Sequence, residues 1–291
     1  MVLITGGLGY LGARIAKALI NNNLDVRIAS SRVSPSIPDD LLSCEVVKID
    51  LADMMSIDKA CKGVKSIVHL ASLNSSECET DSNAADLINS VGTLNMLKSA
   101  KKNSVSKFLY FSTAHVYGSD LNGIIDENSP TYPSNYYASS HKSAEEFVLN
   151  FNVQGKLNAC VFRLTNVIGS PLDQNTNCWM LIANDLCSKI AANQRPELYA
   201  NKFIKRDFIP MKDVIDSTYY YLNYKDNKFG GEIINISSGK PKSLEYFCNL
   251  LVDRASIILN KNIIIEYKNL TKKKTDKEFF ISNKKALSFV S

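Results

Sequence analysis

Short hydrophobic runs alternate with amphipathic segments through the first half of the chain. The runs are continuous and rich in β-branched residues, which is typical of strands buried on both faces of a sheet. They cover residues 2–5, 26–29, 46–49, 66–70 and 108–112. The amphipathic segments cover residues 11–20, 56–61 and 84–101. This alternation predicts an α/β protein with a Rossmann-like, doubly wound parallel sheet that helices cover on both faces.

The alternation loosens in the second half of the chain. A turn-rich stretch leads into a predicted helix over residues 136–151 and a predicted strand over 159–164. We predict a Rossmann domain over residues 1–171 and a smaller α/β lobe over 172–291 that binds the substrate, with some segments returning to the main sheet. No repeat or low-complexity linker marks a sharp boundary between them.

Composition and charge narrow the class of protein. The chain has 291 residues, of which 45% are hydrophobic, enough to bury one large core. Its net charge of +5 is small for this length, and the densest basic run is Lys272, Lys273 and Lys274. Aromatic residues do not interleave with that run, so a solvated loop is favoured and no nucleic-acid partner is predicted.

Cysteine and histidine positions indicate the compartment and the absence of a metal. The seven cysteines lack C-x-x-C spacing, and we find neither a signal peptide nor an apolar run long enough to span a membrane. We therefore expect reduced thiols, a cytoplasmic location and no membrane partner. The three histidines, at 69, 115 and 141, are far apart in sequence and indicate no local metal site.

Gly6, Gly9 and Gly12 follow the first strand and open the first helix at G-x-x-G-x-x-G spacing. Glycine accepts positive φ, and without Cβ the backbone N–H groups can approach a pyrophosphate at the positive end of the helix. A tight strand-to-helix turn would explain the same glycines. Because the strand, the helix and the spacing agree, they favour dinucleotide binding.

The end of the second strand indicates which dinucleotide binds. NAD sites usually place an acidic residue there for the ribose 2′-hydroxyl, whereas NADP sites supply arginine. This chain has Ser30, Ser31 and Arg32 at that position. NADP(H) is therefore favoured over NAD(H), and the alternative is that Arg32 only solvates a loop.

Together with further motifs, these residues resemble the extended short-chain dehydrogenase/reductase family of NAD(P)-dependent nucleotide-sugar epimerases, dehydratases and reductases. The resemblance covers nearly the whole chain and rests on TGGLGYLG, KIDLAD, IVHLAS, INSVGTLNML, YFSTAHVYG, FRLTNVIGSP, KRDFIPMKDV and INISSGKPKSL. It implies that the cofactor is bound by Gly6, Gly9, Tyr10, Leu11, Gly12, Ser30, Ser31, Arg32, Asp50, Leu51, Leu70, Ala71, Ser72 and His141.

The resemblance also implies a catalytic Ser or Thr, a Tyr and a Lys. Thr113 takes the first role, and Tyr137 takes the second because Glu145 follows it at the expected distance of eight residues. In the family, the tyrosine moves a proton at the sugar oxygen. The lysine lowers the tyrosine pKa from about 10 and holds the nicotinamide ribose.

The chain departs from the family at the lysine. His141 lies four residues after Tyr137 and shares its helix face, whereas Lys142 lies five residues away. We expect His141 to hydrogen-bond the ribose and, when protonated, to favour the Tyr137 phenolate. Three alternatives stay open: a working substitute, a slow or specialised enzyme, and a lapsed site kept for binding. A working enzyme is favoured.

The resemblance assigns the diphosphate of a nucleotide-sugar substrate to Asn166 and Arg206, and it adds Ser72 to the substrate site. A buried diphosphate needs a charged fork and directional donors. The alternative for Arg206 is an ion pair with Asp207 or Asp213. Trp179, together with Tyr199, is a candidate apolar wall of the substrate pocket, or else part of the core.

The reaction type follows from what surrounds Thr113. Ala114 and His115 follow it where family dehydratases carry Asp-Glu, so dehydration is disfavoured. His115 is a candidate second proton donor or a packed side chain. We favour reduction of a 4-keto sugar by NADPH, because Ser30, Ser31 and Arg32 at the end of the second strand favour NADP(H), the usual exchangeable reductant. The alternatives are an epimerase with retained cofactor and, in another class, a non-catalytic NADP(H)-binding regulatory protein.

A homodimer through residues 84–101 and 136–151 is consistent with the resemblance.

Overall fold

A computed structural model of the chain describes residues 1–153, 157–224, 229–269 and 277–290. The run Lys272 to Lys274 lies outside these residues. The described strands are β1 (Val2–Thr5), β2 (Val26–Ser30), β3 (Glu45–Lys48), β4 (Ser66–His69), β5 (Lys107–Thr113), β6 (Gly123–Ile125), β7 (Asn158–Leu164), β8 (Asn166–Ile168), β9 (Glu197–Leu198), β10 (Lys205–Arg206), β11 (Phe208–Pro210), β12 (Ile233–Ile236), β13 (Lys242–Ser243), β14 (Glu266–Tyr267) and β15 (Phe279–Ile281). The described α-helices are α1 (Tyr10–Asn21), α2 (Met54–Cys61), α3 (Ser75–Thr80), α4 (Ser82–Ala85), α5 (Gly92–Lys102), α6 (Tyr136–Val153), α7 (Ile182–Ala191), α8 (Met211–Asn223), α9 (Leu244–Leu259) and α10 (Lys284–Val290).

Seven parallel strands form the central sheet in the order β12-β7-β5-β4-β1-β2-β3. The strands of the first half lie within one or two residues of the hydrophobic runs that predict them. Because these runs are continuous, the sheet is buried on both faces. The Rossmann-like fold predicted from the sequence is confirmed.

Alternate residues of each strand feed two hydrophobic cores, one on each face of the sheet. Ile4 and Phe162 pack on one face with α1 and α8, and Leu3 and Phe108 pack on the other face with α2, α5 and α6. A third core joins α7 to α9 in the second half of the chain.

The strand order reverses at β1, which has β2 on one side and β4 on the other. At such a point the connections leave in opposite directions and open a crevice at the carboxyl ends of the strands. Thr5 and His69 are register partners at the end of β1 and β4, and Tyr110 is the next partner on β5. This crevice is where the predicted cofactor residues gather.

The predicted helix over 84–101 differs from the structure. It is divided into α4, a π-helical segment over Asp86–Val91 and α5. The wider π turn carries Asn89 inward, where its side chain accepts from the Leu73 N–H at 2.7 Å and donates to Ser140 Oγ at 3.0 Å. The sequence pattern gives no warning of this turn because its hydrophobic period continues through it.

Strands from the second half of the chain pair with strands that precede them, both in the central sheet and outside it. β12 pairs with β7 at the edge of the central sheet, and β15 pairs with β6. The division of the chain into domains at residue 171 stays a prediction. In the described ranges, no helix is both long and apolar enough to cross a bilayer.

Candidate active site

The glycines of the first turn form a cradle that side chains would fill. Gly6 has φ +64°, and a Cβ there would lie 3.1 Å from the Ala71 nitrogen. A Cβ on Gly12 would lie 2.3 Å from the Gly6 oxygen, so α1 can approach the turn only with glycine at this position. Gly9 precedes α1 and offers no side-chain cap to its free N–H groups. The turn therefore fits a dinucleotide pyrophosphate.

The next predicted cofactor residues fix the geometry of this cradle. The Tyr10 hydroxyl donates to the Gly169 carbonyl at 2.8 Å, which ties α1 to the segment after β8. Leu11 packs against the core on the α1 face. The N–H groups of Leu70 and Ala71 donate to Thr5 Oγ1 at 3.1 and 3.2 Å, which holds the end of β4 against β1.

Two further groups of predicted cofactor residues flank the crevice. Ser30 is buried at the end of β2 and its hydroxyl accepts from the Arg32 N–H at 3.2 Å, while Ser31 and Arg32 are exposed. In the described part of the chain, no carboxylate pairs with the Arg32 guanidinium. At the end of β2, the side chains of Ser31 and Arg32 are thus open to solvent, whereas that of Ser30 is not.

On the other flank, Asp50 accepts from the Ala52 N–H at 2.9 Å and shapes the turn after β3. Leu51 packs beside Gly92, where a Cβ would lie 2.9 Å from the leucine Cβ. Ser72 is exposed just beyond the end of β4.

His69 is a buried neutral histidine beneath the crevice. Thr93 Oγ1 donates to the Asn89 carbonyl at 2.6 Å and so accepts from His69 Nε2–H at 3.1 Å. The other ring nitrogen, Nδ1, then accepts the Thr5 hydroxyl hydrogen at 2.6 Å. Burial lowers the pKa of His69 to about 3, in agreement with a satisfied neutral ring.

The structure brings Thr113 and Tyr137 together. Thr113 ends β5, is buried, and accepts from the His115 N–H at 3.2 Å. Tyr137 lies in the first turn of α6. Burial raises its pKa to about 12, and the neighbouring Thr113 hydroxyl opposes that rise. Tyr136, by contrast, is 53% exposed. The helix therefore turns Tyr137 and not Tyr136 toward the end of the sheet.

His141 lies one turn further along α6, with its ring centroid 4.5 Å from that of Tyr137. Its Nδ1 shares a hydrogen bond of 2.6 Å with the Tyr110 hydroxyl, while its buried Nε2 has no partner among the described residues. Burial lowers the pKa of His141 to about 3, so the ring is neutral at pH 7. The enclosed site does not solvate a charge on this ring, so the condition under which His141 would favour the Tyr137 phenolate, its protonation, is not met at pH 7.

Lys142 points away from this cluster. Its Nζ lies 2.5 Å from Glu146 Oε1 and 3.6 Å from Glu145 Oε2. Lys142 lies five residues after Tyr137, which places it more than a third of a turn away from the Tyr137 face of the helix. Its ion pairs with Glu145 and Glu146 keep the ammonium group on that other face. His141 therefore occupies the position on the Tyr137 face.

Sequence reasoning missed the buried ion pair behind this helix. Glu145 accepts from Arg163 through both carboxylate oxygens, at 2.8 and 2.7 Å, and from Ser112 Oγ at 2.6 Å. Burial opposes the charge on Arg163, but the hydrogen bonds and charge of Glu145 outweigh it and raise the arginine pKa. An arginine inside a buried strand sequence was the signal, because such a charge requires a partner. Tyr110 was missed as well, since a tyrosine in a buried strand is usually core.

Asn166 and Arg206 are adjacent, as predicted for a diphosphate site. Arg206 Nη1 donates to Asn166 Oδ1 at 3.4 Å, and Asn166 Nδ2 donates to the Asp207 carbonyl at 2.8 Å. Asp207 uses its carboxylate elsewhere, accepting from Thr165 Oγ1 at 2.7 Å and Ser238 Oγ at 2.7 Å. Among the described residues, no carboxylate forms an ion pair with Arg206. The alternative of an ion pair with Asp207 or Asp213 is therefore wrong.

His115 lies between Arg206 and the pair of Thr113 and Tyr137. Its ring meets the Tyr137 ring edge to face at 6.2 Å. Partial burial of the ring lowers the His115 pKa, and the nearby positive charge of Arg206 lowers it further. His115 as a whole residue is nevertheless exposed.

Trp179 borders a cavity whose lining includes Gly169, the residue whose carbonyl accepts from the Tyr10 hydroxyl. It lines this cavity, of about 920 Å³ between α7 and α9, together with Ala183, Phe247 and Leu250. None of the described residues that line this cavity is otherwise a predicted site residue. Tyr199 does not line it, and its hydroxyl donates to Glu197 Oε2 at 2.5 Å. Of the two candidate wall residues, Trp179 therefore lines this cavity and Tyr199 does not.

Comparison with known proteins identifies the family. The chain belongs to the NAD dependent epimerase/dehydratase family, whose model matches residues 2–237. The protein is an enzyme of the extended short-chain dehydrogenase/reductase type. The family resemblance found in the sequence is confirmed.

One relative and two solved structures illustrate the likeness. The chain is 28% identical over 254 residues, 86% of its own length and 81% of the other, to a provisionally named UDP-glucose 4-epimerase of Methanocaldococcus jannaschii. It superposes on the UDP-glucose 4-epimerase of Thermotoga maritima with UDP-glucose at a TM-score of 0.84 and 20% identity, covering 99% of this chain and 91% of that one. For the UDP-glucuronic acid 4-epimerase of Bacillus cereus with UDP-glucuronic acid and NAD, the TM-score is 0.82 at 19% identity, with coverage of 99% and 92%. At these identities the two structures establish the fold.

The remaining expectations concern groups outside the site. The seven cysteines are unpaired thiols. Within the described ranges, no group of three or more His, Cys, Asp or Glu side chains is arranged to hold a metal ion. The cytoplasmic location and the homodimer stay predictions.

Proposed function

We propose that the protein is an NAD(P)-dependent 4-epimerase of UDP-linked sugars that keeps its cofactor through the catalytic cycle. The observation that carries the proposal is the meeting of three features in one crevice: the glycine cradle, the Thr113 and Tyr137 pair, and an Arg206 without a carboxylate partner among the described residues. The UDP-sugar epimerases among the relatives support this choice over reduction.

Each part of the crevice has a task in this proposal. The N–H groups at the start of α1, beside Gly9, hold the cofactor pyrophosphate, and His141 Nε2 meets its ribose. Arg206 and Asn166 hold the UDP diphosphate, for which a guanidinium fork is well suited. A bound nicotinamide supplies the hydride acceptor and donor that inversion of a carbinol carbon requires.

Tyr137 and Thr113 act on the proton of the sugar 4-hydroxyl in this proposal. As the phenolate, Tyr137 Oη would take the proton of the sugar 4-hydroxyl while the C4 hydrogen leaves as hydride, and Thr113 Oγ1 would hydrogen-bond the same oxygen. Because burial raises the pKa of Tyr137 to about 12 in the free protein, the phenolate would form only when the positive charge of a bound oxidised nicotinamide favours it. After the sugar presents its opposite face, Tyr137 returns the proton to that oxygen. Proton and hydride both return, so the reaction has no net oxidant or reductant. Ala114 and His115 supply no carboxyl group, which disfavours loss of water.

The test is to incubate the purified protein with UDP-glucose, UDP-N-acetylglucosamine and UDP-glucuronic acid and to follow the C4 proton signals by NMR. We expect the 4-epimer of one of these sugars to form without net change in nicotinamide absorbance, and the denatured protein to release a dinucleotide. A protein that carries the dinucleotide yet epimerises none of the three sugars would contradict the proposal.

A second candidate is the reductase of a UDP-linked 4-keto sugar that uses NADPH. Ser30, Ser31 and the exposed Arg32 support it, because a guanidinium without a carboxylate partner suits a ribose 2′-phosphate. This candidate requires one NADPH oxidised per sugar reduced. We expect Arg32→Ala to weaken NADPH binding about 10- to 100-fold and to leave NADH binding unchanged. Equal losses for both cofactors would remove the argument for NADP(H).

A further inference from the structure

Tyr110 and His141 form a buried pair behind the catalytic tyrosine. Tyr110 lies on β5 and His141 on α6, and 2.6 Å separates the hydroxyl from Nδ1. His141 is 3% exposed, yet its Nε2 has no hydrogen-bond partner among the described residues. Buried polar atoms in native proteins are nearly always paired. The unpaired Nε2 therefore indicates a ligand group that completes the site.

The position of the imidazole hydrogen decides what kind of group fits. Burial raises the pKa of Tyr110 well above 10 and lowers that of His141 to about 3, so both are neutral at pH 7. When the phenol donates its hydrogen to Nδ1, the ring carries its own hydrogen on Nε2. A neutral Nε2–H donor suits a hydroxyl or carbonyl oxygen.

The surroundings of the pair agree with a neutral cluster. His69 lies beside Tyr110, with ring centroids 5.9 Å apart, and its hydrogen bonds to Thr5 and Thr93 keep it neutral. Tyr137 closes the other side of His141 with an edge-to-face contact. A rigid ring held at Nδ1 and packed by Tyr137 can aim Nε2–H in only one direction.

We propose that Tyr110 is a positioning residue that fixes His141 with its Nε2–H toward a ribose hydroxyl of the dinucleotide. This rests on the proposed function, because it requires a bound dinucleotide. The neutral imidazole then supplies the orienting hydrogen bond that the family resemblance assigns to a lysine, without the lysine's positive charge. His141 can therefore bind the ribose in place of a lysine only because the Tyr110 hydroxyl orients its ring.

The test combines tautomer and affinity measurements. Nitrogen-15 NMR of the free protein is expected to show His141 with hydrogen on Nε2, and Tyr110→Phe is expected to mix the two tautomers. Tyr110→Phe should raise the dissociation constant for the dinucleotide about five- to tenfold, the usual effect of a misplaced hydrogen bond. Adding His141→Lys to Tyr110→Phe should restore the affinity, because a lysine needs no partner at Nδ1.

Tyr221→Phe is the matched control. Tyr221 is also buried, and its hydroxyl donates to the carbonyls of Asn158 at 2.8 Å and Phe108 at 3.2 Å. The Tyr221→Phe substitution should lower the free energy of unfolding without changing dinucleotide affinity or the His141 tautomer. Unchanged affinity in Tyr110→Phe, or an equal loss in Tyr221→Phe, would overturn this inference alone. Absence of dinucleotide binding by the wild-type protein would overturn the proposed function, and this inference with it.

Discussion

The rings of Tyr137 and His141 meet edge to face, one helical turn apart on α6, with centroids 4.5 Å apart. Burial raises the pKa of Tyr137 to about 12 and lowers that of His141 to about 3. At pH 7 the phenol keeps its proton and the imidazole has no charge. In the proposed function Tyr137 must therefore lose this proton before it can accept one from the sugar, and the charge of a bound oxidised nicotinamide would favour that loss.

Removal of that hydroxyl should stop turnover and leave the fold intact. Tyr137→Phe keeps the ring that packs against His141 but cannot move a proton. We expect the rate of epimerisation to fall about 100- to 10,000-fold, the range for a lost general acid and base. Steady-state kinetics with the preferred UDP-sugar measure the loss, and dinucleotide release on denaturation shows that cofactor binding persists.

The neighbouring tyrosine provides the control for this change. Tyr136 is 53% exposed, so Tyr136→Phe should leave the rate within about twofold of wild type, as for a surface substitution. If Tyr137→Phe kept more than a tenth of the activity, or Tyr136→Phe lost as much, the assignment of the proton to Tyr137 would be wrong.

The sheet and the glycine cradle could be predicted because local patterns determine them. Continuous β-branched runs gave the strands, and glycine at positions 6 and 12 gave a turn in which a Cβ would collide with backbone atoms. The helical period likewise placed Tyr137 and His141 on one face of α6. These features depend on residues close in sequence, whose spacing is visible without the fold.

The charge states of the site could not be predicted because they depend on contacts between distant parts of the chain. Spacing predicted the place of His141, but its neutrality follows from burial against Tyr110 on β5. The Glu145 and Arg163 pair likewise joins α6 to β7, and no local pattern connects them. The π turn at Asn89 is set by the groups that its amide meets.

Acid should destabilise the protein through its buried histidines. Burial lowers the pKa of His69 and His141 to about 3 in the folded protein, whereas an unfolded histidine has a pKa of about 6.5. Below pH 6.5 the unfolded chain therefore binds more protons, and stability falls as the pH falls. Between pH 7.5 and 5 we expect a loss of about 2 kcal/mol of unfolding free energy per histidine. Urea titrations at the two pH values measure it.

His141→Gln separates this effect from general acid sensitivity. The variant keeps a polar side chain near Tyr110 but removes one titrating ring, so its pH-dependent loss should be about 2 kcal/mol smaller than that of wild type. Above pH 5 most carboxylates in an unfolded chain are already ionised and contribute little. An unchanged pH dependence in the variant would mean that His141 takes up its proton equally well in the folded protein.

Arg206 should control substrate affinity and cost the protein stability. Burial lowers the pKa of Arg206, and no carboxylate among the described residues compensates its charge. We expect Arg206→Gln to weaken UDP binding about 10- to 100-fold, the effect of losing a charged hydrogen bond, while the free energy of unfolding stays the same or rises. Calorimetric titration with UDP and urea unfolding give the two values.

Lys205→Gln is the matched control for Arg206. Lys205 is the preceding residue, and its Nζ lies 2.5 Å from Glu278 Oε1, so its charge already has a partner. UDP affinity should stay within about twofold in this variant, since an exposed ion pair contributes little. Equal loss in both variants would indicate a general effect of basic charge and not a diphosphate site at Arg206.

The buried Glu145 should be far more important for stability than the adjacent Glu146. Glu145→Gln leaves the Arg163 guanidinium, which is 1% exposed, without its counter-charge. We expect a loss of about 3–5 kcal/mol of unfolding free energy, as when one partner of a buried ion pair is removed. Glu146→Gln breaks only the surface pair with Lys142 and should cost less than about 1 kcal/mol. Urea unfolding at pH 7.5 compares the two; similar losses would mean that solvent reaches Arg163 and that α6 is not held to β7 by this pair.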